Sequence, residues 1–179
     1  LDISRLEAGI VEIRPRAFPI QPLLERICRD ERAGAEVKNV ALRLVPCRAA
    51  VQTDPVLLER ILRNLISNAV RYTKAGRILV GCRQSDRLSI EIWDTGLGIS
   101  DNQRELIFQE FYQIGNPERR RSHGLGLGLA IVRRLTNILG TPLTMNSQPG
   151  KGSVFKVSVA RSGSSNILSA PGEDMALGS

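Results

Sequence analysis

The chain has 179 residues, 42% of them hydrophobic, enough to bury a core, and no apolar run approaches the roughly 18 residues of a membrane-spanning helix. Its formal charge of +7 suits a nucleic acid, a polyanionic nucleotide or an acidic partner protein. Aromatic residues make up only 4% and are not interleaved with the basic ones, so the stacking platforms of a single-strand binder are missing.

The chain starts at Leu1 without Met or a signal-peptide pattern, and reads as a piece of a longer protein. Residues 1–8 look helical, with Ile3 and Leu6 on one face and Gly9 ending the run. Residues 10–19 cannot continue a helix through Pro15 and Pro19, and read as a linker. Residues 21–33 form the next helical pattern, with Pro22 near its start and Leu23, Leu24, Ile27 and Cys28 inward. Residues 40–45 alternate as a strand, and a short strand near 49–53 is expected beside it. Cys28, Cys47 and Cys82 are odd in number, share no metal-ligand spacing, and read as reduced thiols in packed positions.

Asp54-Pro55 is a helix start, an N-cap followed by proline at the first helical position, and the helix should run to about Tyr72. Leu58, Ile61, Leu62, Leu65 and Ala69 make its apolar face. Asn64, Asn68 and Arg71 follow at i, i+4 and i+7 on another stripe. That row is either a solvated polar face or a set of metal and phosphate ligands.

Residues 78–82 and 88–93 read as a hairpin turning at Gln84-Ser85-Asp86. The second strand runs into Asp94-Thr95-Gly96-Leu97-Gly98-Ile99, a carboxylate at a strand end facing bare backbone. Ile107, Phe108 and Phe111 share a helical side, as core residues or as the base of a mobile loop. Residues 114–123, with the run Arg119-Arg120-Arg121, suit a lid or a solvated charge run, and His123 reads as a loop residue. Gly124-Leu125-Gly126-Leu127-Gly128 opens a helix patterned by Leu127, Ala130, Ile131, Leu135 and Ile138, where amide groups and the helix dipole favour an anion. Gly140 caps it, and residues 143–147 and 153–159 form a second hairpin with Phe155, Val157 and Val159 facing one way. Residues 161–179 are rich in Ser, Gly and Pro and read as a tail or linker with no catalytic part.

Taken in order, Asn64-Leu-Ile-Ser-Asn68-Ala-Val-Arg71-Tyr72-Thr, the Asp94 glycine turn, Phe108 with Phe111, the Gly124–Gly128 run and Gly150-Lys-Gly152-Ser153-Val-Phe155 resemble the N, G1, F, G2 and G3 boxes of the sensor histidine kinase catalytic domain. This domain is shared in outline with gyrase, chaperone and mismatch-repair ATPases. The resemblance covers roughly residues 20–160, and residues 1–9 look like the end of the preceding dimerisation and phosphoacceptor helix. It implies an α/β fold of Bergerat type, a two-layer α+β sandwich whose mixed β-sheet is covered on one face by helices. ATP would lie between the helix layer and the lid.

The resemblance further implies that Asp94 accepts a hydrogen bond from the adenine amine, with Gly96, Gly98 and Ile99 shaping the base pocket. Asn68 would coordinate Mg²⁺ with Asn64 in support. Arg71 would meet phosphate, and Tyr72 and Ser153 would lie by the nucleotide. Gly124, Leu125, Gly126, Leu127 and Gly128 would cradle the phosphates, although many relatives have Thr or Ser at Leu125. The hydrolytic relatives carry Glu at the place of Asn64, and an amide cannot serve as a base for water. The site should therefore place ATP for transfer to a histidine on a separate module, since no His precedes Asn64. The partners implied are that dimerisation module, in a homodimeric parent, and a response regulator, with no nucleic acid. The expected location is cytoplasmic, with membrane anchoring of the parent left open.

Overall fold

The computed structural model describes residues 12–114 and 126–163. Its elements are β1 (Arg16–Pro19), α1 (Gln21–Val37), β2 (Val40–Leu44), β3 (Ala50–Thr53), α2 (Pro55–Tyr72), β4 (Gly76–Gln84), β5 (Leu88–Asp94), α3 (Gly128–Ile138), β6 (Leu143–Gln148) and β7 (Gly152–Val159). Single turns of 3₁₀ helix follow β5 at Asp101–Gln103 and Leu106–Phe108. Five strands form one mixed sheet in the order β2-β4-β5-β7-β6, with β2 parallel to β4 and the rest antiparallel.

The two-residue period of the strands sorts their faces. Ile78 and Val80 of β4, Leu88, Ile90 and Ile92 of β5, and Val157 and Val159 of β7 are buried against the helices. Leu58, Ile61, Leu62, Leu65 and Ile66 of α2 supply the facing side, joined by Leu24 and Ile27 of α1 and Val132 and Leu135 of α3. Each fully buried aliphatic side chain of this kind contributes about 1.5–3 kcal/mol. The opposite sheet face carries exposed Leu79 and Trp93. There Glu91 is buried but satisfied, accepting from Trp93 Nε1 at 2.9 Å and pairing with Lys156 at 3.4 Å. The mixed sheet with helices on one face is the two-layer fold expected.

Helix α2 begins as the sequence dictates. Asp54 Oδ1 accepts from Val56 N at 2.9 Å and Leu57 N at 3.1 Å, while Pro55 occupies the first helical position. Its other end is held by a contact that the sequence does not announce: Lys38 Nζ donates to the carbonyls of Val70 at 2.9 Å and Arg71 at 2.7 Å. A cation on unpaired helix carbonyls opposes the negative end of the dipole. Lys38→Met should therefore lower stability by about 1 kcal/mol in urea denaturation, with the same denaturant slope.

Four expectations are corrected. Arg16–Pro19, inside the presumed linker, is strand β1, because Pro19 sits at its end and the remaining residues pair with β3. β3 does not pair with β2; β2 is taken by β4, and alternation alone does not identify a partner. α1 runs four residues further than the apolar period suggests, ending where Asn39 takes a φ of 54°. Residues 107–111 are not one helical face: Ile107 is buried, but Phe111 is 59% exposed at a φ of 64°. Its N–H is drawn to Gly126 O at 3.1 Å, and no helix accommodates that turn.

The start of the expected tail is also part of the fold, since Ser162 N bonds Ala50 O at 2.9 Å. The cysteines are free thiols. Burial pushes the Cys28 thiol up to about 11, and burial with the neighbouring Cys47 thiol raises Cys82 as well. The reading of residues 1–9 as a helix end, the lid residues 115–123 and residues 164–179 lie outside the described residues.

Candidate nucleotide site

Asp94 continues the inward series of Leu88, Ile90 and Ile92, but stands where β5 runs past the core. Its neighbours across the sheet are Ile78 and Ser153. The carboxylate faces a cavity whose apolar walls include Leu65, Ile107, Leu129 and Phe155, with Asn68 and Tyr72 on the α2 side. Burial raises the carboxyl above its usual range, and the backbone N–H groups of Gly96 and Ser153 partly oppose this by favouring the charged form. The Gly96 bond, to Oδ1, is 2.8 Å long.

The turn after Asp94 is locked to the β6–β7 turn. Gly98 has a φ of 68°, and a Cβ there would stand 2.0 Å from Gln148 O. Gly150 N closes the contact on Leu97 O at 2.7 Å. Below it, Ile99 N donates to Ser147 Oγ at 2.8 Å, and Ser147 Oγ lies 2.9 Å from Ser153 Oγ. Ile99 and Ser153 are thus tied by one buried hydroxyl chain.

The polar row on α2 meets the start of α3. A Cβ on Gly128 would stand 2.9 Å from Asn64 Oδ1 and 3.7 Å from Asn68 Nδ2. A glycine is what allows the α3 N-terminus this close. Asn64 Nδ2 is committed to Arg60 O at 2.7 Å, which turns the side chain back along the helix. Asn68 is free of that arrangement and lines the cavity. On the far side, Arg133 of α3 lies 4.7 Å over the Phe108 ring and bonds Glu105 Oε2 at 2.8 Å. This ties α3 to the segment that precedes residues 115–125.

Of the sequence candidates, Asn68, Tyr72, Asp94, Gly98, Ile99 and Ser153 line one cavity. Gly126, Leu127 and Gly128 lead into α3 beside it, while Gly96 lies under the carboxylate. Arg71 is exposed on the last turn of α2 and does not line the cavity. Gly124 and Leu125 fall outside the described residues. The sequence missed Tyr112, Gln113 and Leu129 as lining residues, and placed Ile114 only at the start of the lid. Leu129 was legible in principle, one position beyond the glycine run. The others depend on how the chain leaves Phe111.

Comparison with known proteins bears on the family and the fold. The family model described as histidine kinase-, DNA gyrase B- and HSP90-like ATPase matches residues 53–162. The autoinducer 2 sensor kinase/phosphatase LuxQ of Vibrio vulnificus is 35% identical over 173 residues, covering 89% of this chain and 20% of that protein. The sensor histidine kinase RcsC of Escherichia coli is 33% identical over 165 residues, covering 89% and 17%. This chain therefore spans about a fifth of the length of such curated relatives. Full-length ShkA, solved in complex with AMPPNP, superposes with a TM-score of 0.76 at 28% identity, over 88% of this chain and 33% of that one. The histidine kinase AdeS of Acinetobacter baumannii shares the fold, with a TM-score of 0.72 at 23% identity over 88% of this chain and 73% of that one. With its carboxylate-and-glycine turn set against a polar helix row and matched by this model over most of its described length, the chain belongs to the histidine kinase-, DNA gyrase B- and HSP90-like ATPase family.

Proposed function

We propose that this chain is the ATP-binding catalytic part of a two-component sensor histidine kinase. It would bind Mg-ATP and place the γ-phosphoryl for transfer to a histidine on a separate dimerisation module, for relay to a response regulator. The observation that carries this reading is Asp94: the one carboxylate among the described residues lining an apolar cavity, with Asn68 across from it and a glycine-opened helix alongside. The complex of ShkA with AMPPNP supports it.

Each residue then has a task. The Asp94 carboxylate accepts from the purine amine, and the walls formed by Ile107, Phe155 and Leu129 exclude water from the ring. Guanine would set a carbonyl against that carboxylate, so ATP is preferred over GTP. The donors of the α3 N-terminus face the phosphates, and Arg71 and Tyr72 stand at the end of α2 from which they reach the nucleotide. Gly124 and Leu125, which lie outside the described residues, are assigned to phosphate contacts on the resemblance alone.

The donor set fits Mg²⁺ rather than a metal held by protein alone. Among the described residues no three His, Cys, Asp or Glu side chains gather into a metal cluster. Asn68 offers one neutral oxygen, in keeping with an ion that keeps waters and takes phosphate oxygens. When bound, the ion neutralises phosphate charge. Asn64 supports Asn68 from one turn away. As an amide bonded to Arg60 O, it offers no base for water, so ATP hydrolysis without the acceptor module is slow.

The parent would act as a homodimer through that module, in the cytoplasmic compartment where ATP is found. Among the described residues, no helix is long and apolar enough to cross a membrane. Mixing this chain and ATP with a separately produced dimerisation module should label the module's histidine. Labelling equal to a control without the chain would overturn the kinase reading.

Ligand binding and fold respond to pH in opposite senses. The Asp94 pKa is raised in the folded state, so the folded chain holds the proton more tightly than the unfolded one. The fold is therefore handicapped by ionised Asp94 at high pH, and relieved as pH falls through the raised value toward the ordinary 3.8. Nucleotide affinity needs the ionised form and is lost across the same window. Titrating ATP by calorimetry from pH 8 downward should show affinity falling above the usual carboxylate range.

A further inference from the structure

Ser147 and Ser153 are partners across the β6–β7 pair, in one row with Asp94. Ser153 continues the inward series of Phe155, Val157 and Val159 on β7, and both serines are buried. Ser153 lines the cavity beside Asp94, and its backbone N–H donates to that carboxylate.

The contacts of the pair decide where each hydroxyl proton lies. Among the described residues, Ser147 Oγ meets three polar atoms: Ile99 N at 2.8 Å, Gly152 O at 3.0 Å and Ser153 Oγ at 2.9 Å. A serine hydroxyl has one proton and two lone pairs. The Ile99 amide can only donate, so it takes one lone pair. Gly152 O can only accept, so it takes the proton. The second lone pair is left for Ser153, whose hydroxyl must donate. The opposite direction would set an unprotonated oxygen against the Gly152 carbonyl in a buried place, which is unfavourable. With its proton spent on Ser147, the Ser153 oxygen has only lone pairs to offer the cavity.

We propose that Ser147 is a positioning residue: it fixes the direction of the Ser153 hydroxyl, so that Ser153 stands beside Asp94 as a second acceptor for the purine amine. This rests on the reading of the cavity as a base pocket. The amine carries two hydrogens, one for each acceptor. Two oxygens that each lie about 2.9 Å from one planar nitrogen, about 120° apart, are about 5 Å from each other. Cross-strand neighbours such as Asp94 and Ser153, with Cβ atoms about 4.5–5.5 Å apart, can span that distance.

The test measures, by calorimetry on the 179-residue chain, the affinities for ATP and for purine riboside triphosphate, which has hydrogen in place of the 6-amine. Their ratio reports on the amine alone. Ser147→Ala frees the Ser153 hydroxyl to turn its proton into the cavity, and should cut the preference for ATP about fivefold. Ser153→Ala should cut it as far, and the double variant no further, because the two residues act through one oxygen. A fall in both affinities with an unchanged ratio in Ser147→Ala would reduce Ser147 to a tie between the two turns and overturn the proposal, as would additive losses in the double variant. Asp94→Asn keeps the two readings apart. A parental ratio there would overturn the base pocket itself, whereas a lowered ratio there beside an unchanged one in Ser147→Ala would overturn the role of Ser147 alone. Neutron diffraction from deuterated crystals of the parent chain gives a second measurement that does not depend on any variant folding. It should place the Ser153 deuteron toward Ser147 Oγ and the Ser147 deuteron toward Gly152 O, and the opposite direction would refute the proposal.

Discussion

Replacing Asp94 with Asn should lower ATP affinity roughly 10- to 100-fold while leaving the chain folded. The loss follows from one charge-assisted hydrogen bond in a water-poor cavity, worth about 1.5–3 kcal/mol. The amide nitrogen of Asn would also confront the purine amine, donor against donor, unless the side chain turns. Stability should hold or rise, because the charged form of Asp94 is disfavoured by its burial and asparagine removes that charge. Thermal melts without nucleotide, set beside calorimetric titrations with ATP and GTP, separate the two effects. A variant that melts early and binds poorly would point to a structural role. One that melts with the parent and binds ATP as tightly would remove Asp94 from the site.

The second large effect is on the fold. Gly98→Ala should cost about 3 kcal/mol and abolish tight nucleotide binding together with stability. Two terms act in the same direction. The φ of 68° is disfavoured for any residue with a Cβ, and that Cβ would stand 2.0 Å from Gln148 O and 2.6 Å from Gln148 C. Neither atom can swing aside, because both belong to the backbone at the end of β6. The β6–β7 turn would have to separate from the Asp94 turn, breaking the 2.7 Å bond from Gly150 N to Leu97 O and loosening the hydroxyl chain at Ser147 and Ser153. Gly140→Ala is the matched control. Its φ is 58°, but no atom lies within 4 Å of the added Cβ, so it should cost only about 1 kcal/mol. Equal destabilisation of the two in urea would show that the close approach at Gly98 carries no weight.

Much of the architecture was written into local chemistry. Asp54-Pro55 could start only a helix, and the apolar spacing of α2 placed Asn64 and Asn68 on a stripe apart from the core. Alternation from Leu88 to Ile92 put Asp94 on the inward face, since a two-residue period leaves no choice of side. The order of the glycine turns, with the polar helix row before them, was enough to suggest a nucleotide site.

What the sequence could not provide were relations between distant segments. That β3 would pair with β1 rather than β2, and that Lys38 would cap the far end of α2, depend on backbone groups brought together only by the folded chain. The outward Phe111 likewise depends on Gly126, well beyond any local window. The selection within the candidate site is tertiary for the same reason. Residues four apart on one helix share a stripe, yet only Asn68 lines the cavity. Asn64 folds back on Arg60 and packs against Gly128. Periodicity fixes the direction of a side chain from its own helix, but what it meets there is set by the packing of the next element.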